Sequence, residues 1–234
     1  MSLSQKIGKA YLMQQEDNKP LSVENFDPLF WNDTEGYQVI DGGRGGSFKV
    51  NIDGVPAVLK LYLRGGLVRK VMSKHYLWLG RNRTRPWREW ALLEYAHAAE
   101  LPVPEPIAAC AIRNGLMYQA ALITRYIKNT ETLADRLKKS ALSKKGWKRL
   151  GVLIKQFQQL KIRHADLNAT NILIDGQDKF YVIDFDKGRL MKRVDDWQWQ
   201  PLYRLQRSLE KIDRRESLYY RSSDWQAFMD GYQA

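Results

Sequence analysis

The fold of this chain is decided by residues 164–171 (HADLNATN) and by residues 184–186 (DFD), which follow them. Between the two stretches, the apolar residues 172–174 and 180–183 flank a polar turn at residues 175–178. Apolar runs on either side of a short polar turn predict a β-hairpin. Because a hairpin brings its two ends together, we expect the loops before and after it to form one site.

Three side chains at this predicted site carry oxygen atoms: Asp166, Asn171 and Asp184. Carboxylate and carboxamide oxygens are the hard ligands that magnesium prefers, and phosphoryl transfer also needs an acid that orients the attacking hydroxyl. Either carboxylate alone is typical of an ordinary surface turn. The three residues together, at this spacing, predict a site for phosphoryl transfer from a magnesium nucleotide.

Length and composition predict a soluble globular protein. The chain has 234 residues, of which 44% are hydrophobic and 27% charged, enough for one large domain or two small lobes. No apolar run reaches the roughly 18 residues of a membrane-spanning helix, and the N-terminus has no signal-peptide core. The single cysteine, Cys110, lies in an apolar run and is expected to be a buried structural thiol. We therefore expect a cytoplasmic protein, or one held on a cytoplasmic membrane face from outside.

The pattern along the chain predicts an α+β fold with two lobes. Residues 1–36 look irregular and are expected to form an N-terminal extension. Residues 37–127 contain short apolar runs separated by glycine-containing turns, with one helix at residues 89–99, and predict a β-rich lobe. Residues 128–234 have mostly helical periodicity and include the hairpin, so they are expected to form a short catalytic lobe.

A lysine in the β-rich lobe is a candidate for contact with phosphate. Lys60 ends the strand-like run at residues 57–60 (AVLK), and a lysine in a buried strand needs a partner because an unpaired buried charge is costly. Glu89, which opens the predicted helix, is the preferred partner. Glu94 is the rival, but it is rotated from Glu89 by roughly 140° around the helix axis. Only one of the two carboxylates can therefore face Lys60.

A glycine-rich segment precedes that lysine. Residues 41–48 (DGGRGGSF) lie between two strand-like runs, and glycine lets backbone N–H groups approach phosphate closely. Gly43, Gly45 and Gly46 are therefore candidates for nucleotide binding. A plain glycine-rich turn is the alternative, since the spacing departs from that of kinases and Arg44 stands where a small residue is usual.

The arrangement resembles the protein-kinase-like fold and, more narrowly, the lipopolysaccharide-core kinases, among them those that act on 3-deoxy-D-manno-octulosonic acid (Kdo). The resemblance rests on residues 164–171 and extends over about residues 37–209. It implies that Asp166 accepts or steers the proton of the attacking sugar hydroxyl. It also implies that Asn171 and Asp184 bind Mg²⁺.

The resemblance implies roles for three further residues. Lys60, paired with Glu89, would neutralise the phosphates of bound ATP. His164 would be structural, packing beneath the catalytic loop (residues 164–171) and bonding to backbone near the metal-binding acid. A metal-ligand role for His164 is disfavoured because the chain has three histidines and none of them form a close ligand pair.

Several positions differ from the protein-kinase pattern. Ala165 replaces the arginine that anchors a phosphorylated activation segment, Asn168 stands where a lysine is usual, and Asp186 replaces the glycine after Asp184-Phe185. No Ala-Pro-Glu segment follows. These differences argue against a peptide substrate and favour a small-molecule or glycolipid acceptor.

A basic stretch indicates what the acceptor is attached to. Residues 61–88 contain no acidic residue and carry eight arginines and lysines, with tyrosine and tryptophan between them. This composition suits anionic phospholipid or the phosphates of a lipid A precursor. A solvated basic face is one alternative, and nucleic-acid binding is another, disfavoured because no nucleic-acid module accompanies the stretch. The formal net charge of +12 favours polyanionic partners without choosing among them.

The expected activity is ATP- and Mg²⁺-dependent phosphorylation of Kdo, at its 4-hydroxyl, on a Kdo-lipid A precursor during synthesis of the lipopolysaccharide inner core. The enzyme is expected to work peripherally at the cytoplasmic face of the inner membrane, on an anionic surface, without nucleic acid or an obligate protein partner. A heptose kinase of the same pathway is one alternative. A non-catalytic pseudokinase scaffold on membrane or nucleic acid is the other, and the combination of Lys60, Asp166, Asn171 and Asp184 argues against it.

Overall fold

The computed structural model describes residues 2–16, 19–40, 46–62, 76–193 and 196–234. The chain divides into two compact units: Met1–Glu94 with Pro104–Tyr126, and Tyr95–Val103 with Ile127–Ala234. The first unit is built on an antiparallel sheet, and the second combines helices with short strands. The predicted α+β class is therefore confirmed.

The first unit contains an eight-stranded sheet in which β1 and β3 are the outer strands. Its order is β1-β2-β7-β8-β5-β4-β3, with β6 also paired to β8, and the neighbouring strands run antiparallel. The strands are β1 (Ser2–Ile7), β2 (Ala10–Gln15), β3 (Gln38–Ile40), β4 (Ser47–Ile52), β5 (Val55–Leu61), β6 (Tyr76–Leu77), β7 (Pro106–Asn114) and β8 (Met117–Arg125).

The prediction that residues 1–36 are irregular was wrong. β1 and β2 form a hairpin, and β2 pairs with β7 from Ala10↔Ile112 to Gln14↔Ala108. Two short 3₁₀ helices then place Phe26 and Trp31 in the core. Every residue of β1 is exposed, so the side chains of this strand give no core-facing pattern. β2 is mostly buried and carries an apolar run, and this signal was overlooked.

The hairpin between β4 and β5 fixes the position of Lys60. Ile52 pairs with Val55, so Asp53 and Gly54 alone form the turn, with φ of 50° and 83°. Positive φ at both central residues is the geometry that Asp-Gly favours in a tight hairpin. In this register Lys60 lies between Ser47 of β4 and Leu122 of β8.

Helix α1 (Arg85–Ala98) begins four residues before the predicted start at residue 89. Pro86 is tolerated there because the first turn of a helix has no intrahelical use for its missing N–H. Trp90, Leu93 and Ala96 are buried along the helix, and Glu89 is buried with them. The spacing of four residues places Glu89 and Leu93 on the same face of α1.

The second unit is mostly helical. Its helices are α2 (Leu133–Lys139), α3 (Lys144–Gln159), α4 (Trp199–Glu216) and α5 (Ser222–Gln233). Its strands are β9 (Thr130–Thr132), β10 (Ile162–Arg163), β11 (Ile172–Asp175), β12 (Phe180–Val182) and β13 (Arg189–Leu190), arranged as a sheet β12-β11-β9 and a pair β10-β13. α3 and α5 pack so closely that a Cβ on Gly231 would lie 2.0 Å from the carbonyl oxygen of Lys148.

Candidate active site

The predicted hairpin is formed by β11 and β12, and it brings together the segments before and after it, as expected. Ile172 pairs with Val182, and one step further along the ladder the Ile183 N–H donates to the carbonyl oxygen of Asn171 at 3.0 Å. Asn171 and Asp184 therefore extend from the same end of the hairpin. Their proximity follows from the strand register.

His164 connects the catalytic loop to the strand end that precedes Asp184. Its Nδ1 accepts the Asp166 backbone N–H at 3.2 Å, and its Nε2 lies 2.9 Å from the Ile183 carbonyl oxygen. Because Nδ1 acts as the acceptor, the proton belongs on Nε2, and the ring donates to Ile183 as the neutral tautomer. His164 also lies edge-on to Phe185, with ring centroids 4.8 Å apart. His164 therefore contacts the backbone of the loop and of the residue before Asp184, as expected for a structural histidine.

Two asparagine side chains shape the catalytic loop around Asp166. Asn168 Oδ1 accepts the backbone N–H groups of Thr170 and Asn171, at 2.9 and 3.0 Å. The Nδ2 groups of Asn168 and Asn171 both donate to the Asp166 carbonyl oxygen, at 3.2 and 2.9 Å. Asn171 therefore holds its amide nitrogen against the loop, which leaves the amide oxygen as the atom available to a cation.

Asp184 has an unusual backbone conformation, with φ of 63°. A residue other than glycine rarely adopts positive φ, and such strain occurs most often at functional sites. Phe185 beside it is buried against His164 and Phe157, whose ring centroid lies 5.8 Å away. This packing of the neighbouring aromatic ring holds Asp184 in place.

The donors at the end of the hairpin fit magnesium. Asn171 offers an amide oxygen and Asp184 a carboxylate, which are ligand types that Mg²⁺ accepts. Within the described part of the chain, no group of three or more histidine, cysteine, aspartate or glutamate side chains could hold a metal ion. Two protein ligands are sufficient for Mg²⁺ in a nucleotide site, because phosphate oxygens and water complete its shell.

Arg204 is a residue of this site that the sequence reasoning missed. Its Nη1 donates to Asp166 Oδ1 at 3.0 Å, and both side chains are 58% exposed. One turn further along α4, Ser208 Oγ accepts the Ala169 backbone N–H at 3.0 Å. Arg204 and Ser208 therefore lie on the face of α4 that contacts the catalytic loop. Leu202, Leu205 and Leu209 mark the buried face of α4, but no local signal connects Arg204 with residues 38 positions earlier.

Lys60 and Glu89 form the ion pair that was expected within the first unit. Lys60 Nζ lies 3.0 Å from both carboxylate oxygens of Glu89, and the Tyr62 hydroxyl donates to Glu89 Oε2. Glu89 is 4% exposed and the Lys60 side chain 22%. Glu89, and not Glu94, is thus the partner of Lys60.

The structure describes only part of the predicted glycine loop. Gly46 lies just before β4, and its carbonyl oxygen accepts the Leu61 N–H. Gly43, Gly45 and Arg44 lie outside the described residues. Nucleotide binding by the three glycines stays a prediction.

The basic stretch at residues 61–88 is also described in part. Arg81 donates to Ser4 Oγ at 2.9 Å, and the guanidinium of Arg85 lies over the ring of Tyr76, 4.8 Å from its centroid. Arg85 therefore packs within the first unit, whereas the contact of Arg81 lies on the surface of that unit. Within this stretch, four basic residues lie outside the described part: Arg64, Arg69, Lys70 and Lys74.

Comparison with known proteins identifies the family. The model of the "Lipopolysaccharide kinase (Kdo/WaaP) family" matches residues 30–232, which is most of the chain. The chain belongs to this family. The membership confirms the predicted enzyme class, a kinase that transfers phosphate from ATP to a sugar hydroxyl.

Curated relatives match most of this chain. A protein of Vibrio vulnificus (strain YJ016) is 36% identical over 209 residues, covering 89% of this chain and 88% of the relative. A protein of Stenotrophomonas maltophilia (strain K279a) is 38% identical, covering 89% and 83%. One of Xanthomonas euvesicatoria pv. vesicatoria (strain 85-10) is 38% identical, covering 87% and 81%. All three are named 3-deoxy-D-manno-octulosonic acid kinase.

Among solved structures, the Cydia pomonella granulovirus kinase PK-1 matches 67% of this chain and 53% of its own, with a TM-score of 0.44 and 15% identity. The individual roles assigned to Asp166, Asn171, Asp184, Lys60 and Glu89 stay predictions. Their geometry is compatible with those roles within each unit.

Proposed function

We propose that this chain transfers the γ-phosphoryl group of ATP to the 4-hydroxyl of Kdo on a Kdo-lipid A precursor, in the synthesis of the lipopolysaccharide inner core. The main support is the name Kdo kinase, which the curated relatives carry over 87–89% of this chain. The arrangement of Asp166, Asn171 and Asp184 around one hairpin end supplies the chemical groups that such a transfer needs.

In the proposed reaction the sugar hydroxyl oxygen attacks the γ-phosphorus, and the bond to the bridging oxygen of ADP breaks. Asp166 orients the hydroxyl and accepts its proton. Asn171 and Asp184 would hold Mg²⁺, which would neutralise charge on the phosphates. Lys60, held in position by Glu89, adds a second positive charge for the phosphates of ATP.

We also propose that the enzyme works on the cytoplasmic face of the inner membrane, as a peripheral protein. The glycolipid acceptor resides in a bilayer, whereas within the described residues no helix has the length and apolarity to cross one. Near β6, Leu77 and Leu79 are 53% and 60% exposed, and the exposed Arg81 and Arg83 follow them. Exposed leucine beside arginine is the combination that binds an anionic membrane surface.

The direct test is transfer of labelled phosphate from ATP to a Kdo-lipid A precursor by the purified chain with Mg²⁺. We expect one phosphate per acceptor, placed on the 4-hydroxyl by mass spectrometry and NMR of the product. Asp166→Ala should abolish transfer and leave ATP binding largely intact. Transfer to another acceptor, with none to Kdo, would refute the assigned substrate.

The two alternatives from the sequence are less well supported. A heptose kinase would carry the same catalytic residues, but the named relatives are Kdo kinases. A scaffold without activity would not need the buried Lys60–Glu89 pair or the oriented Asp166 loop. A heptose-containing acceptor in the same assay separates the first alternative from the proposal.

A further inference from the structure

A group of basic and amide side chains lies beside Asp166 in the second unit and has no role in the reaction described above. Arg204 Nη1 donates to Asp166 Oδ1 at 3.0 Å. One turn earlier on α4, Gln200 Oε1 accepts a hydrogen bond from Arg163 Nη2. Because residues four apart lie on the same face of a helix, Arg163 and Arg204 both reach the edge of α4 that faces the catalytic loop.

Arg163 lies where an anion would relieve two unfavourable features. It stands directly opposite Arg189 across the antiparallel pair of β10 and β13, and like charges at such positions repel each other. Its Nε is buried and has no hydrogen-bond partner within the described residues. A buried donor without an acceptor is unfavourable unless water or a ligand satisfies it.

We propose that Arg163, Gln200 and Arg204 form a subsite that binds the carboxylate of the acceptor sugar. The inference rests on the proposed function, because Kdo is a sugar acid. The planar guanidinium group of arginine matches a carboxylate with two parallel hydrogen bonds. Arg204 uses Nη1 on Asp166, so its Nη2 and Nε can bind a second carboxylate.

The subsite explains how the acceptor is aligned. Arg204 touches Asp166, so a carboxylate bound to Arg204 lies within a few ångströms of the catalytic acid. In Kdo the carboxylate and the 4-hydroxyl are carried on the same sugar ring, whereas the phosphates of the lipid anchor are on other sugars. A single ring can therefore bind Arg204 through its carboxylate and present its hydroxyl to Asp166. Arg204 is a specificity-determining residue in this arrangement.

The test pairs two acceptors with two enzymes. The acceptors are the Kdo-lipid A precursor and the same molecule with the Kdo carboxylate reduced to an alcohol; the enzymes are the native chain and Arg204→Ala. The native enzyme should lose about 10- to 100-fold in kcat/KM on the reduced acceptor, the range for one charge-assisted hydrogen bond. Arg204→Ala should lose a similar factor on the normal acceptor and little more on the reduced one.

The controls separate recognition from folding. Arg215→Ala removes the same charge from α4 three turns away from Arg204, and it should match the native enzyme with both acceptors. Arg163→Ala does not disturb the contact with Asp166, and it should show the same dependence on the carboxylate as Arg204→Ala. The KM for ATP and the melting temperature of Arg163→Ala and Arg204→Ala should stay close to the native values.

Three results would overturn the inference in distinguishable ways. Equal losses by Arg204→Ala and Arg163→Ala on both acceptors would reduce these residues to structural supports. A second result would be that the arginine variants differ from the native enzyme only on acceptors that carry the lipid A phosphates. That result would make phosphate, and not the Kdo carboxylate, the bound group. Failure of the native enzyme to phosphorylate the normal acceptor would refute the proposed function, and the carboxylate subsite with it.

Discussion

Replacing Glu89 with glutamine should destabilise the first unit. Glu89 is 4% exposed, accepts from Tyr62, and lies 3.0 Å from Lys60 Nζ through both of its oxygens. Glutamine keeps the size of the side chain, but its NH₂ group is a donor and would face either the Lys60 ammonium or the Tyr62 hydroxyl, which are donors too. The lysine, which is 22% exposed, then loses the counter-charge that Glu89 supplies.

The magnitude follows from the burial of the pair. Removing one partner of a buried ion pair costs about 3–5 kcal/mol, and the partial exposure of Lys60 favours the lower end of that range. For a chain of this size, 1 kcal/mol shifts the melting temperature by about 2–4 °C. We therefore expect the unfolding of Glu89→Gln to begin roughly 6–12 °C below that of the native chain.

Thermal unfolding by circular dichroism, together with titration of ATP, measures both consequences. The affinity for ATP should fall as well, because Lys60 loses the group that positions it. Glu94→Gln is the matched control, since Glu94 lies on the same helix and has no ion pair with Lys60 among the described contacts. If Glu89→Gln melts like the native chain and Glu94→Gln does not, the assignment of the partner is wrong.

Two further predictions concern packing. Gly231→Ala should destabilise the second unit by about 1–3 kcal/mol, because the new Cβ would lie 2.0 Å from the Lys148 carbonyl oxygen. Gly176→Ala is the control, since a Cβ there would have nothing within 4 Å. Its urea midpoint should therefore change far less. Equal midpoints for the two variants would show that α3 and α5 are not in close contact. Burial raises the pKa of the Cys110 thiol to about 12. The thiol should therefore resist DTNB at pH 8 in the native protein and react after unfolding. Rapid reaction of the native protein would contradict the burial of Cys110.

The parts of the structure that the sequence predicted are those with short-range signals. The Asp53-Gly54 turn and the β11–β12 hairpin are encoded by residues next to one another, and both were found. The pairing of Lys60 with Glu89, which are 29 positions apart, could be predicted for two reasons. A buried lysine needs an anionic partner, and helix geometry allows only one of Glu89 and Glu94 to face it.

The parts that were missed depend on long-range contacts or on exposed elements. β1 is exposed along its whole length, including its apolar residues Leu3 and Ile7, so its side chains do not mark a face that packs on the core. Arg204 is an exposed arginine on a helix that carries several others, and its role depends on the path of a loop 38 residues away.

The hydrogen bonds around Asp166 separate a fixed backbone from an adjustable side chain. Its N–H is held by His164, and its carbonyl oxygen accepts from Asn168 and Asn171. Its carboxylate is held by Arg204 in an exposed ion pair, a type worth about 0–1 kcal/mol. The backbone of Asp166, the proposed catalytic acid, is therefore fixed, while its carboxylate can exchange or share Arg204 at little cost. A general base needs both properties, because it must be aligned with the hydroxyl and still be accessible to it.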